Sequence, residues 1–240
     1  MITQTTSTKN KVMESRDHSE KNGVSPKDQT SRRKNKSALT DIPSPNNNEV
    51  QRYLEEWDKL TNYVLQESSI TKLFQKTYPK NDVMDDVLIK VCALNDFYST
   101  NIFSPYSVAQ HIIDLHIDNR LEQGDVTLVN EIADIEIQGR KRRFYSFATK
   151  YCSNHRPLDF PIYDYYVQKV LQHFRNVSDF HVFRKDDLRD YPVFKDVLLK
   201  FRIYYHLEQY NLKALDRYLW LLGKEYFPRR IYNNSATDSF

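Results

Sequence analysis

The chain has 240 residues, room for one ordinary domain with some additional segments. Its 35 Lys plus Arg nearly balance 32 Asp plus Glu, it holds two cysteines, and no apolar run approaches the roughly 20 residues that a bilayer demands. These values argue against wholesale coating of nucleic acid, a disulfide framework or a membrane span, and together with a polar N-terminus unlike a secretory signal they lead to the expectation of a cytoplasmic protein.

The first 50 residues contain no Phe, Trp or Tyr, so all 13 Phe, 2 Trp and 17 Tyr fall in the rest. They also carry the whole net charge of +3, which leaves the body neutral. A segment this poor in apolar surface cannot offset the entropy of its own ordering. Residues 1–47 are therefore expected to form a disordered polar and basic tail. Its SRRKNK run, 31–36, is either solvated charge or an arm for phosphate or a partner. A helical domain is expected over 48–228 and a flexible tail over 229–240.

The first periodic segment is Val50, Tyr53, Leu54, Trp57, Leu60 and Val64, at steps of three and four. A shorter helix follows Ser69, with Ile70, Leu73 and Phe74 inward. Asn81 is the expected N-cap of a longer helix through Leu94, and Ser104 that of a helix with Pro105 in its first position. Asp125 suits the cap of a short helix through Ile132. A turn around Gly139 then leads into a helix whose buried stripe is Phe144, Phe147, Ala148, Tyr151 and Cys152. Beyond a proline-marked bend, Val167, Val170, Leu171 and Phe174 define the next helix. Pro192 opens another, and the last runs from Asn211 to a terminating Gly223. With four glycines and no Asn-Gly or Asp-Gly hairpin signal, the expected class is all-α, about eight to ten helices in one domain. Cys92 and Cys152 both lie in apolar patterns and read as buried thiols.

Several chemistries lack their residues. There is no GxGxxG, GxxxxGK[ST], HExxH or GxSxG, and His111 and His116, five apart, fall on different sides of a helix. No cofactor and no metal are expected. The many tyrosines suit core packing, and exposed ones can stack on bases.

GRKRR, residues 139–143, is the most informative charge run. Four cations entering a helix start oppose its dipole unless an anion is near, so Gly139, Arg140, Lys141, Arg142 and Arg143 make either a solvated turn or a phosphate site. Arg143, Ser146 and Lys150 then share one side of the following helix. Lys150 there is either an ordinary exposed lysine or one held near a nucleic-acid backbone. Asp164 stands just before an apolar periodic run, where it is either a cap alone or a cap that also faces a cleft with Lys150.

The order of basic turn, ATKY at 148–151 and FPIYDYYVQKVL at 160–171 resembles the helix-hairpin-helix DNA glycosylases, especially bacterial proteins classed as 8-oxoguanine-glycosylase-like. KVCALNDFYSTNI at 90–102 and LDRYLWLLGKEYF at 215–227 resemble segments of uncharacterised bacterial relatives, and the similarity spans roughly 80–228. The resemblance implies a DNA partner, with hairpin amides and Ser146 beside the phosphate. It also implies Lys150 as amine nucleophile at the sugar, Asp164 as its electrostatic and proton-handling partner, and a base flipped from the duplex. The chain has one glycine in the turn where the family pattern has two. Its lysine-to-aspartate interval of 14 is shorter than the family's, with Ser146 at 18 and Lys141 at 23. A non-catalytic helical module that binds nucleic acid or protein through GRKRR, the basic tail and the final FPRR is the other reading.

Overall fold

The computed structural model describes residues 42–229. The expected tail through Asp41, with its SRRKNK run, and the residues after Arg229 lie outside the described residues. Ten α-helices account for most of what is described: α1 Asn47–Lys59, α2 Thr61–Lys72, α3 Met84–Tyr98, α4 Pro105–Asp114, α5 Asp118–Glu122, α6 Leu128–Ala133, α7 Tyr145–His155, α8 Tyr165–Ser178, α9 Tyr191–Tyr204 and α10 Leu212–Tyr226. A π-helical turn, Leu73–Thr77, prolongs α2, and a 3-10 turn, Lys185–Arg189, precedes α9. No helix among the described residues is long and apolar enough to cross a membrane.

The expected apolar faces meet as the periodicity requires. Val50 and Tyr53 of α1 pack on α10, α10 packs on α8, and α3 lies against α4. The central element is α7, where every residue from Phe147 to Asn154 is buried. It is enclosed by α6, α3, α2 and the π turn. Four of those buried residues are polar: Thr149, Lys150, Ser153 and Asn154. Removing polar groups from water is costly unless they find partners, so this helix is where function or tight polar packing is to be sought.

Several local expectations are corrected. The periodic segment from Val50 to Val64 breaks at Leu60 between α1 and α2, Ser69 lies inside α2 and does not precede a new helix, and the N-cap of α6 is Thr127, with Asp125 accepting from the Thr127 backbone N–H at 3.0 Å. GRKRR does not enter a helix: Arg140–Arg143 is a strand, β2, paired antiparallel with β1, Asp134–Ile137. The turn is Gln138-Gly139, with φ of 51° and 72°. Both values are left-handed, the geometry of the tight two-residue hairpin, with Gln in the place usually taken by Asn or Asp. Ile135 and Ile137 face inward, and the outward pairs Asp134 with Arg143 and Glu136 with Lys141 are of opposite charge. Because the cations lie on a strand, the helix-dipole conflict does not arise.

Asn81 does not cap α3, whose N-cap is Val83; its side chain instead donates to Asp118 Oδ1 at 2.6 Å and accepts from Lys90 and Tyr151. Ser104 holds the N-cap position of α4 with Pro105 first in the helix, as expected, but its hydroxyl makes no capping bond and pairs with the Ser107 hydroxyl at 2.8 Å. Cys92 is exposed and only Cys152 buried. Gly223 lies inside α10, not at its end. A Cβ there would stand 2.6 Å from Tyr166 Cβ and 2.9 Å from the Tyr166 carbonyl oxygen, so glycine serves close contact between α10 and α8. Asn211 and Asp164 do cap, accepting from the backbone N–H of Ala214 and of Val167, each at 2.9 Å.

Candidate functional site

Helical strips converge on one cavity of about 420 Å³. Trp57 comes from α1; Tyr63, Gln66, Glu67 and Ile70 from α2; Ser146 and Lys150 from α7; Lys213, Asp216, Arg217 and Trp220 from α10. The strips of α2 and α10 both follow offsets 0, 3, 4 and 7, one face of a helix. The end of α3 and the loop after it, Phe97 to Asn101, the α8 entry with Asp164 and Tyr166, and Arg229 complete the wall.

Lys150 is not the exposed lysine of the simpler reading: only 6% of it meets solvent. Its Nζ donates to Ser146 Oγ at 2.6 Å and stands 5.5 Å from the centre of the Tyr98 ring. Burial pushes the amine below the ordinary lysine range, Asp164 and Asp216 draw it partly back, and Arg229 adds to the depression. Asp164 is both cap and wall. Its Oδ1 holds the Val167 amide, and Oδ2 has no protein donor among the described residues. Of the residues expected at a reactive centre, the fold brings Lys150, Asp164 and Ser146 together, across an interval of 14 residues.

Sequence reasoning does not single out the α10 side. Asp216 has 12% of its side chain exposed, and burial pushes its carboxyl up to about 7, with Lys213 and Lys150 opposing and Asp164 and Glu67 reinforcing. Lys213 lies 2.7 Å from Glu67 and 3.7 Å from Asp216, and Arg217 binds Glu67 as well. Although burial alone would raise it, the Glu67 carboxyl is held below the usual range by these two cations. An aromatic wall stands beside these charges. Trp220 is 5.8 Å from Trp57, 5.1 Å from Tyr63 and 6.2 Å from Tyr166, ring centre to ring centre. Two buried donors on the wall, Trp57 Nε1 and Arg217 Nε, have no protein acceptor among the described residues.

The basic strand is divided. Arg143 is a clamp: it pairs with Asp134, donates to Asn130 Oδ1 at 2.9 Å and to the Arg189 carbonyl at 2.7 Å, and lies over Tyr145. Arg140, Lys141 and Arg142 are exposed, and Gly139 has nothing within 4 Å of where a Cβ would stand. The Arg142 guanidinium sits 5.4 Å from the centre of the exposed Phe103 ring. Phe103 follows closely on Ser99, Thr100 and Asn101, which line the cavity, so Arg142 lies beside the loop that carries them. Arg229, from the final FPRR, is part of the cavity itself, while Arg230 lies outside the described residues.

The family model HI_0787_N, described as an N-terminal domain, matches residues 49–159. An uncharacterized protein of Haemophilus influenzae (strain ATCC 51907 / DSM 11121 / KW20 / Rd) is 48% identical over 147 residues, 61% of this chain and 70% of the relative. The chain belongs to the family of that Haemophilus protein. No solved structure matches it. The stretch matched by the HI_0787_N model includes Trp57, Glu67, Tyr98 and Lys150 but ends before Asp164, Lys213 and Asp216. In this member of the family the cavity is thus built jointly by the matched domain and the helices that follow it.

Proposed function

We propose that the protein excises a base from DNA, with Lys150 as the amine nucleophile and Asp164 as its partner, on a fold related to the helix-hairpin-helix glycosylases. The observation that carries this is the meeting of a nearly water-free lysine and the α8 cap carboxylate in one cavity with an aromatic wall. An amine attacks only when neutral, and burial favours that form of Lys150. In the reaction the Lys150 nitrogen bonds to the sugar carbon C1′, the bond from C1′ to the base breaks, and the base departs with the electron pair and takes up a proton. Asp216, whose carboxyl titrates near neutrality, is placed to supply that proton. Asp164 faces the positive charge that develops at the sugar and takes the proton lost by the amine. Trp57, Tyr63, Tyr166 and Trp220 suit the faces of a flipped base, and the free donors Trp57 Nε1 and Arg217 Nε suit acceptors on its edge. Gly139, Arg140, Lys141 and Arg142 suit phosphates outside the cavity.

Borohydride trapping on oligonucleotides that carry an abasic site or an oxidised base tests the chemistry. The wild type is expected to form a covalent adduct that Lys150→Ala loses. No adduct with the wild type, or an equal one with the variant, overturns it.

A non-catalytic binding module is the second reading, favoured by the exposed cations Arg140, Lys141 and Arg142, whose availability to a backbone does not depend on the cavity. Arg140→Ala/Lys141→Ala/Arg142→Ala, which spares the Arg143 clamp, is expected to lower duplex affinity and to flatten the salt dependence by about 0.9 for each phosphate no longer neutralised. Binding without trapping would leave this second reading standing.

A further inference from the structure

A second cavity of about 470 Å³ lies on the other side of the wall formed by Glu67, Lys213 and Arg217, which line both. One side of it is a continuous face of α2 and its π turn, running from Val64 to Lys76 at steps of three and four. The opposite side is the C-terminal turn of α7, where Ser153 and Asn154 are buried, together with Lys213 and Arg217 of α10. Gln75 of the π turn donates to the Asn154 carbonyl at 2.9 Å and joins the two sides at the floor. The groove is basic. Lys72, Lys76, Lys213 and Arg217 face a single carboxylate, Glu67, which is already shared between two of them. Lys72 and Lys76 are exposed and make no ion pair among the described residues. Val64 and Pro157 are its only apolar side chains, the stems of the long polar residues supply further apolar surface, and the excess of cationic heads over carboxylates suits an extended chain of phosphates.

We infer that this groove binds the sugar-phosphate strand that continues from the nucleotide held in the Lys150 cavity, with Lys213 and Arg217 at the junction. The inference rests on the base-excision reading and adds to it a strand path on the α2 side, separate from the basic hairpin. From Glu67 to Lys76 the helical face extends about 13 Å, at about 1.5 Å per residue, so its cations meet a flanking nucleotide and not the reacting one.

The test uses single-stranded and duplex oligonucleotides that carry one tetrahydrofuran abasic analogue, with the flank on either side shortened one nucleotide at a time. Affinities are measured for the full chain, for Lys72→Ala/Lys76→Ala and for the hairpin triple variant. Thermal melting checks that the surface substitutions leave the fold intact. Shortening one of the two flanks is expected to cost the wild type about tenfold. Lys72→Ala/Lys76→Ala should bind the long oligonucleotide about tenfold more weakly and lose nothing further on that shortening. Its salt slope should fall by about 1.4 on a single strand, the value for two phosphates no longer neutralised. The hairpin variant should still respond to the shortened flank. Equal responses in the wild type and Lys72→Ala/Lys76→Ala overturn the groove, and if borohydride trapping succeeds in the same preparations only the groove assignment falls. Absence of binding by the wild type to every oligonucleotide overturns the groove and the nucleic-acid reading together.

Discussion

Two lysines are buried among the described residues, and their surroundings differ. Lys90 of α3 is fully enclosed, and its Nζ donates to the Tyr78 carbonyl at 3.1 Å, the Lys80 carbonyl at 2.7 Å and Asn81 Oδ1 at 2.6 Å. Three donors meet three acceptors, so the ammonium is a cross-link that ties the 78–81 segment to α3, and it borders neither of the two cavities. Lys150 has Ser146 Oγ as its one close acceptor, the Ser146 carbonyl lying 3.4 Å away, and it borders a cavity shared with three carboxylates, Glu67, Asp164 and Asp216. Burial depresses both amines, Lys90 to about 8, yet only Lys150 has room for a reaction partner. A low lysine pKa therefore does not mark a reactive site; incomplete satisfaction beside an opening does.

Replacement of each by methionine is the strongest way to break this contrast. Lys90→Met keeps the volume but strands the carbonyls of Tyr78 and Lys80 and leaves Asn81 Oδ1 with Tyr151 as its donor, and should cost about 3 kcal/mol in denaturant unfolding. Lys150→Met removes a poorly satisfied buried amine and should leave stability unchanged or raise it by about 1 kcal/mol while abolishing the borohydride adduct. Equal losses of stability would make Lys150 a second structural lysine.

The pH dependence of stability sharpens the same contrast. Asp216 binds its proton more tightly when folded, about 7 against an ordinary 3.8, so its contribution falls as pH rises from about 4 to 7. Lys90 runs the other way: its folded value of about 8 lies below the ordinary 10.5, so its contribution rises between about pH 8 and 10.5. Asp216→Asn should gain roughly 2 kcal/mol over the wild type at pH 8 and little at pH 4, read from unfolding midpoints at the two pH values. A constant difference across pH would remove Asp216 from the group of buried titrating residues. Next in size, Gly223→Ala drives a methyl into the Tyr166 backbone and should cost about 2 kcal/mol. It also parts the helix that carries Asp216 from the one capped by Asp164, so the adduct yield should fall further than that of a surface control with matched stability.

The contrast also explains what is legible in the sequence. Apolar faces at steps of three and four mark α1, α7, α8, α9 and α10, because burial of a stripe is a local pattern. The hairpin is hidden because its alternation, DIEI, is four residues long and its turn begins with Gln138. Gly223 reads as a helix end because the need for a missing Cβ comes from Tyr166, far away in sequence. Lys150 and Asp164 stand out through their resemblance to a known segment. Lys213, Asp216 and Arg217 carry no such signal. A charged strip at offsets 0, 3 and 4 looks the same whether water or another helix covers it, and only Glu67, 146 residues before Lys213, reveals that this one is covered.

The smallest expected effect isolates the one acceptor that the two environments do not share. Ser146 Oγ accepts from Lys150 and lies 3.3 Å from the Tyr163 carbonyl, to which it donates. Ser146→Ala removes this acceptor without enlarging the cavity by more than a hydroxyl. If Lys150 depended on its partner as Lys90 depends on Asn81, losing that acceptor would cost as much as stranding a buried ion, about 3 kcal/mol. With the cavity open to water and two carboxylates close by, the amine is expected to find other acceptors, and the loss should be about 1 kcal/mol, the ordinary worth of one hydrogen bond. The pH profile of trapping supplies the second readout. Loss of an acceptor that favours the ammonium should lower the amine pKa further and move the rise of trapping to lower pH. A profile that stays in place would assign the control of Lys150 to burial, Asp164, Asp216 and Arg229, without Ser146.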